Sequence, residues 1–152
     1  MAEKVGSRIQ SEIGQIDYLL ATYDDLLQRV QQGTPDLVEM TAIASVLHSF
    51  YNGLENIFLN IAKGLDSKVP AGNQWHRDLL LQMTQTTPNR NAVLTLETAY
   101  HLADYLAFRH FYRHSYSFFL DWSEMGKLVI SLAEVWKKTK YEFELFLNTL
   151  AK

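Results

Sequence analysis

The chain has 152 residues, of which 47% are hydrophobic and 20% charged, with a net charge of −3 and no cysteine. That length suits a single domain over 1–152 with a substantial core, and the composition excludes a disordered chain. The absence of cysteine excludes disulfides and thiolate chemistry, and the negative charge argues against a general polyanion binder.

No apolar run approaches the roughly 18 residues of a membrane span, and residues 1–15 contain no signal-peptide hydrophobic region. The expectation is a cytoplasmic protein with no membrane partner. Charge is unevenly placed: residues 1–40 carry three Lys/Arg against seven Asp/Glu, whereas residues 105–140 carry six against three. A local basic region on an acidic chain suits a partner that touches one face.

Helical periodicity runs through nearly the whole sequence. From Val5 to Val30, apolar residues recur at three-and-four spacing, which predicts one long helix. "GTPD" then breaks the chain, with Gly33 suited to a C′ position, Thr34 to an N-cap and Pro35 to the first turn of the next helix. Leu37, Met40, Ile43, Leu47, Phe50, Leu54, Ile57 and Ile61 predict that second helix. Residues 63–73 read as a loop from their Gly, Pro and Ser content, and "QWHRDLLLQM" as a short helix. After the loop "TTPNRN" a helix is expected from Ala92 into the segment "FRHFYRHSYSFF" at 108–119. Asp121 and Glu124 resemble a capping box that opens a last helix. No segment alternates as a strand. The predicted fold is all-α, an up-and-down bundle of four main helices plus one short one.

The segment 108–119 is unlike the rest. It sets Arg109, His110, Arg113 and His114 among four phenylalanines and two tyrosines. Arg109 and His114 are five residues apart, about 140° and about 7.5 Å on a regular helix, so both can reach a groove without sharing a narrow face. Arginine is a permanent cation whose fork matches phosphate oxygens, and histidine exchanges protons near neutral pH. Together they suit RNA cleavage without metal: a base takes the ribose 2′-OH proton, the oxygen attacks the neighbouring phosphate, and a cation stabilises the developing charge. Phe111, Tyr112 and Tyr116 can stack on bases, although aromatics at helical spacing are more often core. His110 and His114 form an i,i+4 pair with metal-ligand spacing, but "HFYRH" lacks a third ligand, so no metal is implied.

Arg109, His114 and Tyr116 make an R-x4-H-x-Y pattern that resembles the signature of HepT-like ribonuclease toxins of the HEPN superfamily. "FYNGLENIFLNIAKGL" (50–65), with Glu55 in its middle, and "NQWHRDLL" (73–80) resemble further segments of that family in the same order. The resemblance implies a HEPN-like α-helical homodimer that cleaves RNA, often tRNA, without metal or cofactor at a site composed from both protomers. It assigns Arg109 to the scissile phosphate and His114 to proton transfer, with His110, Arg113 and Glu55 in support. It marks Tyr116 as the residue modified with AMP by a cognate minimal nucleotidyltransferase antitoxin. Read from residues alone, Glu55 suits either a site role or an exposed helix position, and His76 a packing or capping role. His48 and His101 carry no signal beyond their helices. The alternatives are a non-catalytic helical module that binds nucleotide or protein, and a structural bundle with Phe118, Phe119 and Trp122 as an apolar patch.

Overall fold

A computed structural model of the chain describes residues 2–116 and 119–150. Four long helices, α1 (Ala2–Thr22), α3 (Leu37–Ile61), α5 (Leu96–His114) and α6 (Trp122–Leu150), are joined by two short ones, α2 (Asp24–Arg29) and α4 (Trp75–Gln82). No strand occurs among the described residues, and the buried side chains form one continuous hydrophobic cluster. The all-α bundle expectation is met. Phe118, part of the apolar patch considered above, lies outside the described residues.

Side-chain register fixes the directions of the long helices. Arg8 reaches Asn60 and Glu12 reaches Asn56, so α1 runs antiparallel to α3. Phe50 packs edge-on against Tyr105 while His48 lies against Tyr112, placing α5 antiparallel to α3. Tyr105 donates to the Leu128 carbonyl at 2.7 Å, and Glu142 receives Thr98 Oγ1 at 2.5 Å, so α6 returns along α5. Asp17 then accepts from Trp136 Nε1 at 2.8 Å and Lys140 Nζ at 2.7 Å, which closes α6 onto α1. Gly53 permits a close approach of α1 and α3, since a Cβ there would stand 2.8 Å from Ile16 Cγ1. This packing offsets the roughly 1 kcal/mol that a mid-helix glycine costs.

Several boundaries differ from the sequence expectation. The first helix does not continue to Val30: it breaks at Tyr23, whose φ of −103° and ψ of 13° leave the helical region. Thr22 Oγ1 bonds back to the Tyr18 carbonyl at 2.7 Å, a contact that bends helices. The second long helix is capped by Asp36, not Thr34. Asp36 accepts from the Glu39 N–H at 2.8 Å and Glu39 accepts from the Asp36 N–H at 3.2 Å, a complete capping box that outcompetes Thr34. The helix expected from Ala92 starts at Leu96, because the Val93 and Leu94 N–H groups both bond to the Met83 carbonyl and their side chains enter the core. At Asp121 the capping box does not form, and the residue acts as a simple N-cap. Its carboxylate accepts from the Ser123 N–H at 3.0 Å, while Glu124 turns to Lys127.

Two buried carboxylates hold the parts that frame the site. Glu142 of α6 accepts the Thr95 N–H at 2.8 Å and both the Thr95 and Thr98 hydroxyls, so it caps α5 from outside its own chain segment. Asp66 ends the single π-helical turn (Ala62–Asp66) that extends α3. It receives Arg90 Nε at 2.7 Å and Arg90 Nη2 at 2.8 Å, with side-chain exposures of 4% and 0%. Arg90 also donates to the carbonyls of Gln82, Gln85 and Asn91, so one guanidinium ties the end of α4 to the segment leading into α5. Breaking a buried pair of this kind from one side leaves the partner charge uncompensated, which costs about 3–5 kcal/mol. Arg90→Ala is therefore expected to lower the urea-unfolding free energy by about that amount; a loss below about 1 kcal/mol would show that the pair does not hold the α4 hairpin.

Candidate functional site

On α3, His48, Asn52 and Glu55 stand at i, i+4 and i+7 and therefore project from one face. That face meets α5 at Arg109. Arg109 Nε donates to Asn52 Oδ1 at 2.7 Å, and Arg109 Nη2 lies 3.7 Å from Glu55 Oε1. The second Glu55 oxygen accepts from His76 Nδ1 at 2.7 Å. Glu55 is thus a buried carboxylate, 7% exposed in its side chain, that faces a guanidinium on one side and an imidazole on the other. In a low-dielectric setting the hydrogen bond orients His76, and the looser ion pair draws Arg109 to the same carboxylate.

The other end of the stripe fixes a protonation state. Asn52 presents its oxygen to Arg109, so its Nδ2 donates to His48 Nε2 at 3.1 Å. His48 is then the neutral tautomer with its proton on Nδ1, a buried atom that has no hydrogen-bond partner among the described residues. Burial holds the His48 imidazole below the ordinary histidine range, and the positive charges of Arg109 and Arg113 push the same way. The Tyr51 hydroxyl, one residue from Asn52, is also buried without a partner among the described residues. Burial pushes the Tyr51 phenol strongly upward, Glu55 adds to the effect and Arg109 opposes it.

Between α4 and the C-terminal half of α5 opens a cleft of about 780 Å³. Trp75 and His76 line it on the α4 side, and Arg109, His110, Arg113 and His114 on the α5 side. The Trp75 and His76 rings stack with centroids 3.7 Å apart. His110 and His114, one turn apart, have ring centroids 4.6 Å apart. Arg113 and His114 also fall in the last turn of α5, where cations interact favourably with the helix dipole. Arg109 is largely buried at 11% side-chain exposure, whereas His110, Arg113 and His114 are exposed.

Arg109, His110, Arg113 and His114 line the α5 wall of the cleft and His76 the facing α4 wall, while Glu55 is buried and is reached by both Arg109 and His76. Arg109 and His114 share the cleft without a hydrogen bond between them among the described residues. Tyr116 does not line it. It sits past the end of α5, 71% exposed, on a neighbouring cavity of about 290 Å³ with Phe111 and Tyr112. Tyr112 itself packs on His48 and Phe108, so it serves the core and not a base platform. No group of three metal-ligating side chains occurs among the described residues, so the His110/His114 pair has no third protein ligand there. From the sequence Asn52 went unnoticed, His48 carried no signal beyond its helix and His76 read as a packing or capping residue; the i, i+4, i+7 spacing of His48, Asn52 and Glu55 was the available signal.

A family model described as "HepT-like protein" matches residues 42–150, the span that contains every residue of this cluster. The chain belongs to the HepT-like family of the HEPN superfamily. No curated protein and no solved structure matches the HepT-like chain. Among the described residues, no helix is long and apolar enough to cross a membrane.

The state of His48 predicts a pH dependence. A histidine whose pKa is lower in the folded than in the unfolded chain takes up its proton preferentially on unfolding, so folding stability falls with acidification. The effect is absent above the unfolded value of 6.5 and grows as pH drops from there toward the folded value. Between pH 7 and pH 5 the wild type is expected to lose more stability than His48→Gln, measured by urea unfolding at each pH. Parallel pH curves would contradict the assignment.

Proposed function

We infer that this HepT-like chain is a metal-independent endoribonuclease toxin acting on RNA, with tRNA as the expected substrate. The observation that carries this reading is the convergence of Arg109 and His114 on one cleft, with His110 and Arg113 beside them. Arg109 is anchored through Nε to Asn52, which leaves the outer edge of the guanidinium for a phosphate. His114 is exposed and free to approach a ribose or a leaving oxygen. Membership of the HepT-like family supports ribonuclease chemistry as the reading of this cleft. The exposure of the cleft suits completion by the same residues of a second copy, so the working unit of this reading is a cytoplasmic homodimer. Net negative charge disfavours loose binding to any polyanion and favours a narrow substrate held at the basic cleft.

Tyr116 completes the reading. Its exposure just beyond α5 suits modification with AMP by a minimal nucleotidyltransferase antitoxin. The added phosphate and nucleoside would bring an anion to the end of a helix that carries Arg113 and His114, opposing RNA by charge pairing and bulk.

The test is incubation of the purified chain with total tRNA in EDTA, beside Arg109→Ala. Cleavage is expected in the wild type and a loss of about 10²–10³-fold in the variant, the usual effect of removing one group that stabilises transition-state charge. In the same design, co-expression with the cognate nucleotidyltransferase adds AMP to the intact mass and suppresses cleavage, and Tyr116→Phe shows neither effect. Cleavage that requires divalent metal, or that survives Arg109→Ala, overturns the reading of a metal-independent site built on Arg109, and absence of cleavage by the wild type leaves a non-catalytic binding module. AMP addition undiminished in Tyr116→Phe removes the regulatory part.

A further inference from the structure

We propose that His76 is a second proton-transfer residue of the cleft, oriented by the buried carboxylate of Glu55, so that each protomer carries both an acid and a base for RNA cleavage. The proposal rests on the ribonuclease reading above and deepens it.

The geometry separates His76 from a packing histidine in three respects. Its Nδ1 is committed to Glu55 Oε2 at 2.7 Å, a full ångström closer than the approach of Arg109 to the same carboxylate. Its Nε2 has no hydrogen-bond partner among the described residues. The side chain remains 26% exposed, on the cleft wall opposite the one that carries His114. A histidine that only satisfied a buried carboxylate would gain nothing from this opening. Stacking on Trp75 holds the ring plane, and α4 is in turn held by Arg90 and Asp66.

A carboxylate that accepts Nδ1–H selects the tautomer whose Nε2 lone pair is available, and it stabilises the imidazolium that forms when Nε2 takes a proton. The charged and titratable groups around His76 are Glu55 from α3, Arg77 on its own helix, and Arg109, His110, Arg113 and His114 from α5. In the step proposed, the 2′-hydroxyl proton passes to His76 Nε2 as O2′ bonds to phosphorus. The bond from phosphorus to O5′ breaks, and O5′ takes a proton from the His114 imidazolium. The products are a 2′,3′-cyclic phosphate and a 5′-hydroxyl, and exchange with water resets both rings. Arg109, which lines the same cleft, meets the charge on the phosphoryl oxygens.

The test uses His76→Asn, in which the amide N–H occupies the place of Nδ1–H and keeps the bond to Glu55 but cannot titrate. His76→Gln is measured beside it in case one variant folds poorly. RNA affinity and pH–rate profiles are recorded with wild type and His114→Ala. The expected result is wild-type RNA binding in His76→Asn, cleavage slowed about 10²–10⁴-fold, and loss of the acidic limb of the profile. Rescue by Asn, or a slower enzyme with an unchanged profile, would make His76 a clasp for Glu55 and overturn the proposal while leaving the nuclease reading intact. If the wild type cleaves no RNA, the nuclease reading fails and His76 falls with it.

Discussion

A carboxylate buried on α3 sets the architecture of the cleft. Glu55 has little access to water, and an ionised group in that position is tolerated only when opposite charge and hydrogen bonds replace its hydration. Arg109 and His76 provide that replacement from two different helices. The same requirement that keeps Glu55 from destabilising the bundle therefore points a cation and an imidazole toward one opening. Asn52 adds direction to the guanidinium, and His48 fixes the orientation of Asn52 by accepting its amide. The result is a chain of bonds from the core outward, each member determining the next.

The rest of the fold serves that arrangement. Glu142 caps α5 at Thr95 and Thr98, and the Tyr105 hydroxyl holds its middle to α6, so the register that delivers Arg109 opposite Asn52 is set at two points along the helix. The Asp66–Arg90 pair does the same for α4, whose short length gives it few contacts of its own. Three buried carboxylates, at Glu55, Asp66 and Glu142, thus lock three junctions between helices. Aliphatic packing at Ile16, Leu47, Leu54 and Ile57 supplies bulk stability but little direction, whereas these bonds specify which faces meet.

The four long helices were legible because their apolar faces repeat at three-and-four spacing over many turns. The family was legible because R-x4-H-x-Y, "YNGLEN" and "WHRDLL" occur together and in order. What sequence could not carry were pairings made across the bundle: His76 and Glu55 are 21 residues apart, Arg90 and Asp66 are 24 apart, and Lys140 and Asp17 are 123 apart. Local chemistry was misread where two signals competed, as at Thr34 and Asp36, where a reciprocal pair with Glu39 wins over a lone hydroxyl. The break at Tyr23 was hidden because the apolar rhythm continues across it. Glycine at 53 read only as part of a motif until its contact with Ile16 showed why nothing larger fits.

Whether Glu55 truly couples α3 to the cleft is measured most directly by a double-mutant cycle on Glu55→Gln and Arg109→Gln, with unfolding free energies read from urea titrations. Groups bound in one network show interaction energies of about 0.5–3 kcal/mol, and independent ones add to within about 0.3–0.5 kcal/mol. The account predicts a coupling of at least about 1 kcal/mol. Simple additivity would mean that guanidinium and carboxylate are neighbours without being partners, and the cleft would need another explanation.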